Sequence, residues 1–340
     1  MHIVHITEQT KYIYQTGLID NNLIGFNTMI NTVASLFDGG SMGQEACVRA
    51  GIVPNTYRYY ASETDPYAIK ITQANWPDTV QLGDVRNVKL NSFNGDPVDL
   101  LMGGSPCQGF SFASKDKLNF DDPRSALFFE YVRLLDELKP KYFLLENVRM
   151  KMECQDIISH YLGVEPIAIN SNLVSAQNRY RLYWTNIPQD GLPEDKGLVL
   201  QDIVEDGLVD RSKAHCLDAN YWKGGNLRSY FEKHRRQLVF SEDGLCHVGD
   251  ADLNGHGYLK RVYHSKGKAP CLTTNGGGNR EPKVYVPPMK YRKLTPTECE
   301  RLQTLPDGYT NHVSNTQRYK VLGNGFTVDV IAHLLKGINK

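Results

Sequence analysis

The chain lacks what would mark it as disulfide-stapled, metal-centred or membrane-spanning. Its seven cysteines (47, 107, 154, 216, 246, 271 and 299) are scattered, and the nearest pair, Cys246 and Cys271, is 25 positions apart. That spacing holds no CxxC pair, so neither a zinc site nor a dithiol redox motif is expected, and an odd, dispersed set of thiols fits a reducing cytosol. No run of 18 apolar residues occurs, so no transmembrane helix is expected. The opening Met1-His2-Ile3-Val4-His5 has neither the basic nor the apolar region of a signal peptide. The dinucleotide GxGxxG and the P-loop GK[ST] are both missing, which removes nicotinamide and P-loop phosphate binding. Net charge is missing too, with 38 Lys and Arg against 38 Asp and Glu.

Zero net charge conceals segregation. Acids dominate from Gln189 to Asp210, whereas Arg211 to Arg236 holds seven basic residues against two acids and Tyr258 to Lys293 nine against one. A basic surface confined to one region follows, of the kind that meets nucleic acid. The 340 residues, 41% hydrophobic, are enough for a sizeable core and about two domains.

The informative stretch runs from Asp99 to Phe110. Val98 to Met102 is almost wholly apolar, as in a strand buried on both faces. Gly103-Gly104 ends it, and Pro106 fixes the backbone before Cys107. A thiol is thereby presented on a tight turn at a strand end, where open α/β sheets hold their ligands. The alternative, a buried structural cysteine, sits poorly with the flanking Gly-Gly-Ser-Pro.

Residues 1 to about 30 carry no clear periodicity and are expected to form an arm or a short capping element. Thr32 to Phe37 predicts a strand, followed by the glycine-rich turn Asp38-Gly39-Gly40-Ser41-Met42-Gly43, which suits close approach of a cofactor. A helix is expected over Gln44–Ala50, then a strand Tyr57–Ser62 delivering Glu63, an acid placed to accept ribose hydroxyls. Asp65-Pro66 opens a helix to Asn75. A short strand near Val80 ends at Gly83-Asp84, where Asp84 is placed for an adenine amino group. Gln108 to Arg124 reads as a long polar loop without periodicity, of the length usual for lids or disordered segments. Ser125 caps a helix through Lys139, and the strand Tyr142–Leu145 delivers Glu146-Asn147-Val148 in an apolar setting. The strands before Cys107 and Glu146 are joined by one helix, so they should be parallel neighbours that bring the two side chains together. Strict alternation from Gln177 to Trp184 predicts a strand with Gln177, Arg179 and Arg181 on one face. From Gln189 to Met289 the composition shifts to Gly, Lys, Tyr and Asn, as in a separate small domain. Thr295-Pro296-Thr297-Glu298 is a capping box opening a helix through Gln303. Gly323-Asn324-Gly325-Phe326 reads as a tight turn, and Val328–Leu335 as the last helix.

No histidine accompanies the thiol, which argues against a cysteine protease. A thiol adding to an electron-poor ring while an acid serves a ring nitrogen fits better. The segments SLFDGGSMG, ASETD, GDVRNV, GGSPCQGFS, LLENV, QNRYR, LTPTECERLQTLP and LGNGF, in that order, resemble the carbon-5 cytosine DNA methyltransferase family over about Asn31–Trp184 and Lys290–Lys336. SLFDG, DVRN, GGSPC, LFFEY and ENV are particularly similar to the vertebrate de novo enzymes. Pro-Cys-Gln and a recognition region of about 100 residues are more similar to bacterial and phage members.

The resemblance implies an α/β fold: a Rossmann-like S-adenosylmethionine-dependent methyltransferase sheet with helices on both faces, built from 1–188 and 290–340, plus a smaller target-recognition domain, 189–289. It implies methyl transfer from S-adenosyl-L-methionine, leaving S-adenosyl-L-homocysteine, to C5 of a flipped cytosine in double-stranded DNA. Cys107 would attack C6, Glu146 would serve N3, Arg181 would support the base, and Gln177 and Arg179 would brace the substrate. Phe37, Asp38, Gly39, Gly43, Glu63, Thr64, Asp84, Val85, Ser105, Asn324 and Phe326 would hold the cofactor. Gln108, Ser111 and Arg124 would clamp DNA from the lid. Tyr221, Lys223, Arg228, Lys260, Arg261, Thr273, Thr274 and Asn279 would read or hold it from the recognition domain. Many relatives carry a Thr-Leu pair after a proline there; here Pro270 is followed by Cys271-Leu272. A monomer in the cytoplasm, prokaryotic or phage-encoded and associated with the nucleoid, without membrane contact, is the expected setting. A transfer-RNA methyltransferase and a non-catalytic DNA-binding relative remain as alternatives.

Overall fold

Short apolar runs separated by glycine turns fold here into one twisted sheet with both faces covered. The structure, a computed structural model, describes residues 29–54, 57–105, 126–241, 249–250, 261–264, 283–285 and 291–340. In chain order come β1 (Thr32–Leu36), α1 (Met42–Ala50), β2 (Arg58–Ser62), α2 (Pro66–Asn75), β3 (Val80–Gln81), β4 (Leu100–Gly103), α3 (Ala126–Leu138), β5 (Tyr142–Val148), α4 (Met152–Leu162), β6 (Ile167–Asn170) and β7 (Tyr180–Thr185). These strands form a sheet in the order β3-β2-β1-β4-β5-β7-β6. β1 is parallel to β2 and β4, β4 is parallel to β5, and β7 runs antiparallel between β5 and β6. The order reverses between β1 and β4, and the crevice beyond their C-terminal ends is where such sheets bind ligands.

Alternate residues of the central strands enter two different apolar clusters. Val33, Leu100, Met102 and Leu144 lie in one; Ala34, Leu36, Leu101, Phe143 and Leu145 lie in the other. Burial on both faces is why these strands read as unbroken apolar runs rather than as alternating ones.

The chain continues through α5 (Leu227–Lys233), β8 (Leu238–Phe240), β9 (Gly249–Asp250), β10 (Arg261–His264), β11 (Lys283–Tyr285), β12 (Tyr291–Lys293), α6 (Pro296–Leu302), α7 (Asn315–Asn324) and α8 (Val328–Leu335). β8 pairs with β12, and β10 pairs antiparallel with β9 and parallel with β11. Leu200, Ile203, Leu217, Tyr221 and Val239 belong to the same apolar cluster as Val33 and Leu144. The described part of 189–289 up to Val239 therefore shares its core with the large sheet.

At α6 the capping box forms in both directions, Glu298 N donating to Thr295 Oγ1 at 3.1 Å and Thr295 N to Glu298 Oε2 at 2.7 Å. α8 buries Val330, Ile331, Leu334 and Leu335, and Arg49 of α1 reaches Asp329 at 2.8 Å. The stretch Asn315–Asn339 has the length and hydropathy of a membrane span, but 72% of its most apolar window is buried inside the protein. It is also interrupted between α7 and α8.

Three expectations change. The strand predicted from Gln177 starts only at Tyr180: the Gln177 backbone instead makes an isolated parallel bridge to Ala214, with Asn178 N donating to Ala214 O at 2.9 Å and Ala214 N to Ala176 O at 2.7 Å, while the Gln177 side-chain amide donates to Leu302 O at 2.6 Å and Gln303 Oε1 at 2.9 Å. Gly323 and Asn324 end a helix, α7, instead of forming a free turn. The helix expected from Gln44 starts at Met42.

Candidate active site

Beyond β1 the chain passes through Phe37, Gly39 and Ser41, all in the left-handed region (φ 57°, 62° and 56°). Non-glycine residues rarely accept this conformation, and here buried polar contacts hold them in it. Asp38 accepts from Tyr59 Oη at 2.9 Å and from the Ser41 hydroxyl. Burial pushes the Asp38 carboxyl up to about 6; hydrogen bonds from Ser41 and Tyr59 oppose this, and the charge of Glu63 adds to it. At the end of β2, Glu63 accepts from the backbone N–H of Gly39 (2.8 Å), Thr64 (2.7 Å) and Asp65 (2.8 Å). One carboxylate thus ties the first two strand-end turns together. Asp84 starts the short turn after β3, where Arg86 holds its carboxyl down at about 2.

On the other side of the switch point, Glu146 lies within β5, opposite Tyr183 of β7, and Arg181 is two residues from Tyr183. That diagonal places both side chains on one face, and Arg181 Nε lies 3.0 Å from Glu146 Oε1. The apolar surroundings expected for Glu146 are thus replaced on this side by an ion pair. Arg181 is buried, which disfavours its charge, but Glu146 prevails and raises its pKa above the ordinary guanidinium value. Arg179, 2% exposed, donates to the carbonyls of Leu217 (3.1 Å), Gly323 (3.3 Å) and Gly325 (2.8 Å). Burial, followed by the neighbouring Arg181, lowers its pKa. Gly104 closes the arrangement: a Cβ there would stand 3.2 Å from Glu146 Oε2 and 3.2 Å from the Phe326 ring. Its lack of a side chain lets the end of β4 pass directly beneath the carboxylate.

Between these groups lies a cavity of about 490 Å³, within the range that holds cofactors. Phe37, Asp38, Gly39, Glu63, Thr64, Asp84, Val85, Ser105, Asn324 and Phe326 line it, together with Glu146, Arg179 and Arg181. Three expected residues stand elsewhere. Gly43 lies inside α1, where a Cβ would meet Met102 Cε at 2.8 Å, so it is a packing glycine. Gln177 is fully buried behind the site, against Leu302 and Gln303. Tyr221 is 1% exposed, donates to the Gln237 carbonyl and packs its ring on Tyr319, so it has no surface with which to meet DNA. Lys223 and Arg228 are exposed, Lys223 over the Trp222 ring and Arg228 paired with Glu232 at 2.9 Å. Cys107, Gln108, Ser111 and Arg124, with Lys260, Thr273, Thr274 and Asn279, lie outside the described residues, as does the side chain of Arg261.

Sequence reasoning missed Lys320, which lines the cavity and pairs with Asp65 at 2.7 Å. It also missed Cys216, whose Sγ accepts from Arg179 Nη1 at 3.5 Å and Arg181 Nη2 at 3.8 Å. No local motif marks either one, because distant segments deliver both.

A sheet switching direction at a nucleoside-sized cavity, with a carboxylate–arginine pair at its rim, is the arrangement of an α/β enzyme that binds a nucleoside cofactor. The family model for C-5 cytosine-specific DNA methylase matches residues 32–157 and 168–340, and the chain belongs to that family. Relatives include the type II methyltransferase M.HhaI of Haemophilus parahaemolyticus, 27% identical and covering 82% of this chain and 86% of that protein. M.HpaII of Haemophilus parainfluenzae is 30% identical over 80% of each chain. Among solved structures, the Entamoeba histolytica methyltransferase EhMeth superposes with a TM-score of 0.65 at 16% identity, covering 91% of this chain and 98% of its own, which supports the fold. The protein is therefore a C-5 cytosine DNA methyltransferase, and S-adenosyl-L-methionine is its methyl donor.

Proposed function

We propose that this methyltransferase acts on a cytosine extruded from double-stranded DNA, through a transient bond between Cys107 and C6. The observation that carries the proposal is the Glu146–Arg181 pair, held over the cofactor cavity and against Gly104, three residues before that thiol. A cysteine with the ordinary pKa is only about 3% thiolate at pH 7, so its attack needs help at the ring. Glu146, fixed by Arg181, is placed to engage N3 as the C6–S bond forms; the ring electrons then make C5 nucleophilic. Once C5 has taken up a methyl group, loss of the C5 proton to a base, departure of the thiolate and return of the N3 proton to Glu146 restore the aromatic ring and the free enzyme. Arg179, anchored on three carbonyls, holds the wall formed by Gly323–Phe326.

The cavity fits the donor. Glu63 carries a carboxylate fixed by three N–H groups yet open to the cavity, and Phe37 and Val85 provide apolar walls. These residues, with Asp84, Ser105 and Asn324, would hold S-adenosyl-L-methionine, which supplies an electrophilic methyl group. Extruding the base costs a few kcal/mol, and the 108–124 segment with Ser111 and Arg124 is assigned to offset it. Lys223 and Arg228, with Lys260, Arg261, Thr273, Thr274 and Asn279, are assigned to DNA contact, and 189–289 to target recognition. Relatives from bacteria and phages support work on DNA in a prokaryotic cytoplasm, and the protein is taken to act there on nucleoid DNA as a monomer.

The test is methyl transfer measured in parallel on duplex DNA and transfer RNA, with bisulfite sequencing of DNA from an expressing host. Transfer to duplex DNA is expected, abolished in Cys107→Ala and reduced but measurable in Glu146→Gln. Full activity of the cysteine variant would overturn the mechanism, and transfer to RNA alone would overturn the substrate.

A further inference from the structure

A second cavity, about 460 Å³, adjoins the cofactor cavity and shares Arg181, Gly323 and Asn324 with it. Its remaining wall includes His215, Cys216, His234 and Arg235, and Asp218 is the one carboxylate among the described residues that line it. That acid is already divided between two guanidinium groups, Arg235 at 2.9 Å and Arg236 at 3.5 Å. Arg211 meets the His215 ring from behind and is itself paired with Asp210 at 3.0 Å. The His215 and His234 rings lie 6.1 Å apart. Burial, then Arg211 and His234, push His215 down to about 4 against the opposing charge of Asp210, so its ring is neutral near pH 7. Arg235 is half exposed, and its neighbours His234 and Arg236 both hold left-handed backbone, φ 50° and 60°. Non-glycine residues keep such a conformation only where their surroundings impose it, and functional sites collect them.

We propose that this second cavity seats a backbone phosphodiester of the DNA strand carrying the target cytosine, beside the extruded nucleotide. The inference rests on the duplex-DNA reading above. Guanidinium and imidazole N–H groups converge there as donors, the pattern that holds phosphate oxygens and fixes register without reading sequence. Because the cavity adjoins Arg181, a phosphate bound in it would position the flipped base over Glu146. Asp218 is then a competitor: it occupies Arg235 and Arg236 until the DNA arrives.

The experiment uses the full chain as wild type, Arg235→Gln and Asp218→Asn, and measures binding to a fluorescent duplex over a range of salt concentrations. Binding of S-adenosyl-L-homocysteine serves as the control for fold. Arg235→Gln should bind duplex about tenfold more weakly at low salt, and its slope of log affinity against log salt should flatten by about 0.9, one phosphate contact. Asp218→Asn should bind more tightly, since it frees both guanidinium groups while its amide oxygen can still accept from Asn220 N, now at 2.8 Å. Neither change should alter cofactor-product binding, because neither residue lines that cavity. If wild type methylates duplex DNA while both variants bind it with unchanged affinity and slope, the proposal is wrong. If wild type fails to methylate duplex DNA, the catalytic reading falls and the proposal falls with it.

Discussion

At the scale of single residues, Asp38 carries the clearest pH signature. It is 6% exposed, and its pKa stands near 6 against an ordinary 3.8. A carboxyl whose folded pKa lies above its unfolded value holds its proton more tightly when folded, so its contribution to stability falls as pH rises. The contribution is fully present below the unfolded value of 3.8 and is lost as pH passes about 6. The difference corresponds to about 3 kcal/mol. Asp38→Asn removes this dependence. In denaturant unfolding, the stability of the variant relative to wild type should therefore rise between pH 4 and pH 6 and level off above. Parallel profiles for the two proteins would show that Asp38 ionises as freely in the fold as out of it.

At the scale of elements, legibility followed periodicity and punctuation. β1, β4 and β5 read correctly because both their faces are apolar and glycine turns or caps bound them. α6 read correctly because Thr295 and Glu298 mark its start, and α8 because Val330, Ile331, Leu334 and Leu335 share a face. α7 escaped because it buries a charge, Arg318, against Glu300 of α6 at 2.9 Å and Thr310 at 2.9 Å; a pattern with a buried arginine does not look amphipathic. The same inward polarity explains Gln177 and Gln303. Gln303, fully buried, donates to Leu322 O (2.6 Å) and Gly325 O (3.2 Å) and accepts from Gln177 (2.9 Å) and Thr327 (3.0 Å). Its amide has no free valence, and it locks the turn that carries Asn324 and Phe326 into the cavity wall. Gln303→Leu orphans several buried groups at roughly 1–3 kcal/mol each, whereas Thr295→Ala loses one cap worth about 1 kcal/mol. Urea midpoints compared at constant slope should therefore fall much further for the Gln303 variant; equal falls would show that the buried network is not cooperative.

At the scale of the molecule, the site is where the two ends of the described chain meet. Phe37, Glu63 and Asp84 were visible from sequence because each stands at a strand end beside a turn. Lys320, in the wall of this cavity, and Cys216, in the wall of the adjoining one, were not, since their contacts with Asp65 and with Arg179 and Arg181 span hundreds and tens of residues respectively. The cofactor cavity runs from Phe37 to Phe326, and the Lys320–Asp65 and Arg49–Asp329 pairs join the C-terminal helices to the first two strand–helix units. A ligand in that cavity touches both halves of the sheet and the C-terminal turn at once, so its binding energy must stabilise the fold as a unit. At one hundred times its Kd, S-adenosyl-L-homocysteine should add about 2.7 kcal/mol, seen as an upward shift of several degrees in the main thermal transition. Phe326→Ala removes the ring that packs over Gly104 and should shrink that shift at the same ligand concentration. An unchanged shift in the variant, or none in wild type, would mean that the product binds somewhere other than between these two ends of the chain.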